Sequence, residues 1–326
     1  MPTIKDIASD AGVSFSAVSL ALNGRASVIG ISEATAKRIH ESAEKLGYKP
    51  HLMARALRSG KTRTIGVLMP VVYGIYWQHA AALQEEARRL GYFTIFSFWQ
   101  DKDGEDEAVK ALLARQVDAL ISFSPSALLE KSKVPVVYYS NPDEKRDYVR
   151  IDYDSYLKQS AELIIRKGYK KVLNCRCFST GNQKTIDIGK YADKKFTVEK
   201  LEIGKGNLYL AASKAAEEYF SSPNTEIPDL VTGTDEIVIG IANVLRSKGI
   251  KVPENLALLG FDNLPESERF WVPLSSFDTG SKKFAAALCE LLMRRLENPA
   301  AENTHILIEP QLIERQSTPY KKQPSQ

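Results

Sequence analysis

The chain has 326 residues, 44% of them hydrophobic and 26% charged, with 44 Lys and Arg against 40 Asp and Glu. That length and balance fit a soluble globular protein of two or three domains with sizeable cores, and they exclude a low-complexity or disordered chain. No apolar run approaches ~18 residues and the start lacks a basic-then-apolar export signal, so the expected location is the cytoplasm.

Thr3 opens the first element, because its hydroxyl can cap a helix while Asp6, three residues on, reaches back to the free amide at the start. Ile4, Ile7, Ala8 and Ala11 fall on one face, and Gly12 permits the turn that ends the helix. A second cap at Ser14 opens a helix with Val18, Ala21 and Leu22 inward, which leaves Phe15, Ser16, Ser19 and Leu20 near its exposed, leading end. A third helix, capped at Ser32 and carrying Ala36, Ile39, Ala43 and Leu46 before Gly47, completes a small core. Two short helices around a glycine turn form the pattern that places one helix in a DNA groove, although the same residues also suit a plain three-helix bundle. Charge separates the two readings. Residues 1–63 hold ten Lys/Arg against five acids, whereas the rest has 34 basic and 35 acidic residues, so the whole excess sits where a polyanion would be met.

Residues 50–60 are helix-prone, yet roughly ten residues are too few for a stable isolated helix, so this linker needs a partner or serves as a flexible tether. Beyond residue 63 apolar runs alternate with helical patterns: strands at 65–69, 93–98, 117–123 and 134–139, with a helix over 77–90 closed by Gly91. A second series starts at Val149 and includes strands at 171–178, 196–203, 230–232 and 256–261, interleaved with helices such as 208–220 and 236–248. This rhythm predicts two doubly wound parallel-sheet α/β lobes behind an all-α helix-turn-helix headpiece.

Open parallel sheets bind ligands beyond the carboxyl ends of their strands. The residues there are Tyr73, Tyr76 and Trp77 after the first strand, then Ser124, Asp152, Asp235 and Asp262. Carboxylates beside aromatic faces point to a polyol-like ligand. Each has a plainer alternative, since a strand-end Asp also caps helices, and Tyr76 and Trp77 also suit a helix packed on the sheet. Cys175, Cys177 and Cys289 read as buried thiols without CxxC spacing, and the histidines at 40, 51, 79 and 305 are unpaired by spacing. No metal, cofactor or catalytic motif is implied, so an enzyme is not expected.

The run TIKDIA..AGVS..AVS.ALNG, then GYKP...ARALRSGKTRTIGVLMP, resembles the LacI/GalR family of bacterial transcriptional regulators. The likeness continues through Val149-Arg150-Ile151-Asp152, Gly233-Thr234-Asp235, Gly260-Phe261-Asp262-Asn263 and Ile313-Glu314-Arg315-Gln316-Ser317-Thr318. It implies a helix-turn-helix domain over 1–48, a hinge helix within 49–62, and an effector-binding and dimerisation domain over 63–326 resembling type I periplasmic binding proteins. Lobe 1 is then about 63–150 and 278–302, and lobe 2 about 151–277 and 303–319, with three crossings between them.

The resemblance carries specific roles. DNA contacts fall to Thr3, Ser14, Phe15, Ser16, Ser19 and Leu20, then to Asn23, Arg25 and Thr35 outside that helix. In the hinge they fall to Ala54, Arg55, Leu57 and Arg58, with Leu57 wedged into the central base step of a near-palindromic operator bound by a homodimer. Leu20 replaces a position often polar or basic, which favours contact with a thymine methyl over a hydrogen bond to guanine. Lys184 and Thr234 join the effector candidates. Three departures count against a standard monosaccharide: Tyr153 and Thr234 stand where asparagines are usual, and 179–190 contains no arginine. The segment 25–31 also runs about three residues longer than usual. The implied protein is a repressor gated by a small sugar-like effector. The alternatives are the same fold gated by a protein partner or by no small molecule, and, more distantly, a binding protein or enzyme on the two-lobed fold.

Overall fold

The computed structural model describes residues 2–22, 30–48, 60–70, 74–139, 143–177, 187–204, 206–223 and 225–321. The chain divides into two compact units, Met1–Thr62 and Arg63–Gln326.

In the first unit, helix α1 (Ile4–Ala11) starts with the capping box foreseen at Thr3: Asp6 Oδ2 accepts from the Thr3 amide at 2.7 Å, and Asp6 donates its amide to Thr3 Oγ1. Gly12, at φ 62°, ends the helix in a left-handed conformation. Ser14 caps α2 (Phe15–Ala21) by accepting from the Ala17 amide at 3.1 Å, and Ser32 caps α3 (Glu33–Lys45) by accepting from Thr35 at 3.2 Å. Ile7, Ala11, Val18, Ala21, Ile39 and Ala43 form the core between the three helices. Asp10 fastens α1 to α3, accepting from Ser42 Oγ and Lys45 Nζ, both at 2.7 Å.

The second unit holds two six-stranded sheets. The first has the order β11-β5-β4-β3-β1-β2, from β1 (Thr64–Pro70), β2 (Phe93–Trp99), β3 (Ala119–Ser122), β4 (Val136–Tyr139), β5 (Tyr148–Ile151) and β11 (His305–Ile308). Every pairing in it is parallel. Strand β1 is buried along nearly its whole length, which is why it reads as an unbroken apolar run rather than an alternating one. The second sheet has the order β12-β10-β9-β8-β6-β7, from β6 (Lys171–Cys177), β7 (Thr197–Ile203), β8 (Leu230–Thr232), β9 (Ala257–Phe261), β10 (Ser275–Asp278) and β12 (Gln311–Ile313). Only the β10–β12 pair is antiparallel among these described strands.

Helices α4 (Ile75–Arg89), α5 (Lys102–Ala114) and α6 (Ala127–Lys131) connect strands of the first lobe. Helices α7 (Tyr153–Lys167), α8 (Leu208–Ser221), α9 (Asp235–Ser247) and α10 (Pro265–Arg269) belong to the second series, and α11 (Ser281–Glu297) returns to pack on α4 and the first sheet. The chain thus passes between lobes after β5, after β10 and after β11.

The third crossing corrects the expected boundary. Residues 303–319 do not all belong to the second lobe, because His305–Ile308 pairs with the open edge of β5, from His305 opposite Tyr148 to Ile308 opposite Ile151. The His305 ring stacks on Tyr148 with centroids 4.3 Å apart. The second sheet resumes only at Gln311. Among the described residues no helix is long and apolar enough to cross a membrane.

Candidate functional site

Two places concentrate the sequence candidates. On the headpiece, Thr3, Ser14 and Ser16 are exposed, Thr35 and Leu20 are half-buried, and Phe15 stands 49% exposed at the start of α2. Lys5 on α1 and Lys37 and Arg38 on α3 are exposed cations. Ser19 departs from expectation: only 8% exposed, it is tucked into the headpiece. Each step along a helix turns by about 100°, so the residue after the inward Val18 lies at the margin of the packed face, and a side chain as small as serine is covered there. Ser14 spends its acceptor on capping α2, whereas Ser16 keeps its hydroxyl on the open face.

In the second unit the carboxyl ends of the strands meet the starts of α4, α7 and α9. Tyr76, in the first turn of α4, packs its ring 5.5 Å from Phe123 and 5.9 Å from Tyr139, which stack on each other at 3.9 Å. Tyr153, opening α7, lies 6.1 Å from Phe261. Asp262 follows Phe261 and raises the pKa of both Tyr76 and Tyr153, after burial, which dominates. Trp77 does not join this group. One residue further round α4, it packs on Phe98 of the edge strand β2 at 5.4 Å and remains 55% exposed. Ser124 donates to the buried Glu105 carboxylate, which also receives Lys102 at 2.7 Å.

The three aspartates divide into three roles. Asp152 caps α7, its Oδ1 accepting from the amides of Asp154 and Ser155 at 3.1 Å each. Asp235 is 0% exposed and accepts from the Leu264 amide at 2.7 Å, Ser267 Oγ at 2.7 Å and Ser276 Oγ at 2.6 Å. It is a brace between α9 and the segments after β9 and before α11, not a group presented to a ligand, and this corrects its place among the contact residues. Burial lifts its pKa to about 6 against the pull of those hydrogen bonds and Arg315. The brace needs Gly260, because a Cβ there would stand 1.9 Å from Asp235 Oδ1.

Asp262 is the opposite case. Among the described residues no donor reaches its carboxylate, and burial, reinforced by the charges of Asp235 and Glu236, holds its pKa well above the usual carboxylate range. Its backbone sits at φ 108°, a strained conformation outside glycine, held by the Asp262 amide donating to Phe277 O at 2.9 Å. Thr234, which precedes α9, makes no side-chain cap bond, and its Oγ1 is buried without a hydrogen-bond partner among the described residues. Buried polar groups are ordinarily paired, so the Thr234 hydroxyl is an exception, and the half-buried Asp262 carboxyl lies near the Tyr76 and Tyr153 hydroxyls without a donor of its own among the described residues.

The sequence marked Tyr153 only as a departure from a usual asparagine, although it directly follows a strand-end aspartate. Glu236 was not signalled: its carboxylate lies where a Cβ on Gly74 would be 2.8 Å from Oε2, so an acid of the second lobe meets the start of α4 in the first. Burial, with the charge of Glu266 second, raises its pKa. Asn23, Arg25, Ala54, Arg55, Leu57, Arg58, Tyr73 and Lys184 lie outside the described residues. The Cys175 and Cys289 thiols are buried and Cys177 is half-buried, and burial pushes Cys289 up to about 12. Among the described residues no group of three His, Cys, Asp or Glu could hold a metal ion.

Residues 3–51 match the model of bacterial regulatory proteins of the lacI family, and residues 192–318 match a periplasmic binding protein-like domain. Catabolite control protein A of Staphylococcus epidermidis is 30% identical over 97% of this chain and 98% of its own length, and that of Priestia megaterium is 27% identical over 97% and 99%. The fold is that of the lac repressor dimer bound to operator and the anti-inducer ONPF, with a TM-score of 0.83 at 19% identity over 98% of this chain and 99% of that one. The transcriptional regulator CelR in complex with cellobiose superposes with a TM-score of 0.64 at 20% identity, over 97% of this chain and all of that one. A capped helix-turn-helix ahead of a two-lobed domain, with a relative at that identity along its length, places the chain in a family of DNA-binding transcriptional regulators: it belongs to the LacI family of bacterial regulatory proteins.

Proposed function

We propose that this regulator is a repressor which binds a near-palindromic operator as a homodimer and is gated by a small polar, sugar-like effector in the cleft between its lobes. The observation that carries the reading is the pairing, in one chain, of an exposed face on α2 with an unpartnered Asp262 set among Tyr76, Tyr153 and Phe261. An aromatic face takes the apolar side of a sugar ring, and a carboxyl group takes its hydroxyls. Two proteins of matching fold, the lac repressor with operator and anti-inducer and CelR with cellobiose, hold partners of the same kinds, which supports this reading.

Thr234 Oγ1 is the second group of the effector site, while Asp152 and Asp235 hold its walls. Residues 49–62 carry the coupling, with Leu57 as the wedge and Arg55 and Arg58 on the DNA backbone. Closure of the lobes on a ligand changes how the two subunits present their linkers, and so changes operator affinity.

The test is selection of operators from a randomised duplex library, followed by calorimetry of the full chain with a panel of sugars. A symmetric motif and a sugar that changes operator affinity are expected, with the response lost in Asp262→Asn. An unaltered response in that variant would mean that the effector binds elsewhere.

A further inference from the structure

From Phe15 to Ala21, α2 carries one phenyl ring, two hydroxyls, one isopropyl, one isobutyl and two methyl side chains. It has no guanidinium, ammonium, amide or carboxylate. Val18, Ser19 and Ala21 are covered by the headpiece, so the side chains left to face a groove are Phe15, Ser16, Ala17 and Leu20. In the major groove, guanine is read by the paired donors of arginine or lysine, adenine by the amides of asparagine or glutamine, and cytosine by carboxylates. None of these belongs to α2. The apolar feature of that groove is the C5-methyl of thymine, which alkyl and phenyl groups can cover.

We propose that α2 identifies its half-site by C5-methyl groups, with Phe15 and Leu20 seated against them and Ser16 adding a single hydroxyl bond. This rests on the assignment of α2 as the recognition helix. It extends beyond Leu20 alone, because the accessible face of α2 has no side chain able to make the bidentate contacts that read guanine or adenine. The ligand class is therefore a pyrimidine bearing a 5-methyl group, and 5-methylcytosine offers the same methyl at the same ring position as thymine. Phosphate contacts fall to charged groups off this helix, among them Lys5, Lys37 and Arg38.

The experiment starts from the operator selected with the full-length chain. Each thymine is replaced in turn by deoxyuridine, which removes the methyl and keeps the hydrogen-bonding edge. At one or two positions per half-site affinity falls about four-fold, and about fifteen-fold when both half-sites are changed, as expected for one buried methyl-sized group each. Replacing T·A by C·G at such a position loses binding, and 5-methylcytosine in the same place recovers it, which separates methyl reading from reading of the T·A pair as such. In Phe15→Ala, whose half-exposed ring is no part of the core, and in Leu20→Ala, the uracil and thymine operators converge at one position each. Random-sequence DNA binds all three proteins alike, which shows that the variants remain folded. A selected motif that tolerates uracil at every position overturns the proposal and transfers base reading to residues outside α2. Failure of selection to return any motif overturns base reading by this chain altogether, and the proposal with it.

Discussion

The headpiece and the interlobe cleft use helix starts in opposite ways. Each headpiece helix is opened by a side chain that accepts a backbone amide: Thr3 for α1, Ser14 for α2 and Ser32 for α3. Of the described helices α4, α7 and α9, α7 alone is opened so, by Asp152; α4 begins at Gly74 and α9 at Thr234 without a side-chain cap bond among the described residues. The first amides of a helix have no partner within it, so an uncapped start leaves donors for something else. The headpiece spends Thr3, Ser14 and Ser32 on holding the starts of its described helices, and the cleft leaves Thr234 and Asp262 unspent. The same contrast runs inside the cleft, where Asp235 is saturated and Asp262 is not.

Four measurements can break or sharpen that contrast. The largest effect is expected at the brace. Asp235→Ala leaves one amide and two hydroxyls buried without their acceptor, and should lower the stability of the second unit by about 3–5 kcal/mol in urea titrations. A loss below about 1 kcal/mol would show the brace to be dispensable.

Next is His79, whose burial holds its pKa near 4 and whose Nδ1 pairs with Tyr139 Oη at 2.8 Å. Its folded pKa lies below the unfolded value, so the unfolded chain binds the extra proton, and stability falls as pH drops from about 6.5 towards 4. Asp235 acts in the opposite sense: its pKa of about 6 exceeds its unfolded value, so its burial costs most above pH 6 and the cost shrinks on acidification. The two are separated by variant. His79→Leu should remove about 2 kcal/mol of the stability difference between pH 7.5 and pH 5, and an unchanged pH profile would show that this histidine titrates in the fold as it does in the unfolded chain.

The headpiece caps should be worth less singly. Thr3→Ala removes one of them and should cost about 1 kcal/mol, read as a lower melting temperature of the first unit with specific DNA affinity reduced in step.

Smallest in stability, and largest in function, is Asp262→Asn. Asparagine tolerates a positive φ and carries no charge, so stability should stay within about 0.5 kcal/mol of the parent while the effector response disappears. A loss comparable to that of Asp235→Ala would show that both carboxylates are braces and that the cleft lacks a dedicated recognition group.

What could be read from the sequence follows the range of the interactions involved. Thr3 and Asp6, Ser14 and Ala17, and Ser32 and Thr35 are three residues apart, so the three helix caps were legible in the sequence, whereas the covering of Ser19 was not. Strands such as β1 and β9 announced themselves as unbroken apolar runs. The roles of the aspartates were not legible, because Asp235 is defined by Leu264, Ser267 and Ser276, which come to it from 29 to 41 residues away. Nothing local distinguishes it from Asp262. The placement of β11 was hidden for a similar reason: HILI fits either sheet, and the free edge of β5 decides. Glu236 meets Gly74 only through the packing of one lobe on the other, and no periodicity reports that.

The contact between Gly260 and Asp235 has a consequence for how this chain can change over generations. A side chain at 260 would displace the carboxylate, and once the carboxylate is gone the reason for glycine is gone too. The two positions therefore form a ratchet in which the order of substitution matters: 235 must be lost before 260 is free to vary, and after 260 has varied the aspartate cannot simply return. In a library randomised at both positions, folded survivors that keep Asp235 should carry glycine at 260, whereas those that have lost Asp235 should accept other residues there.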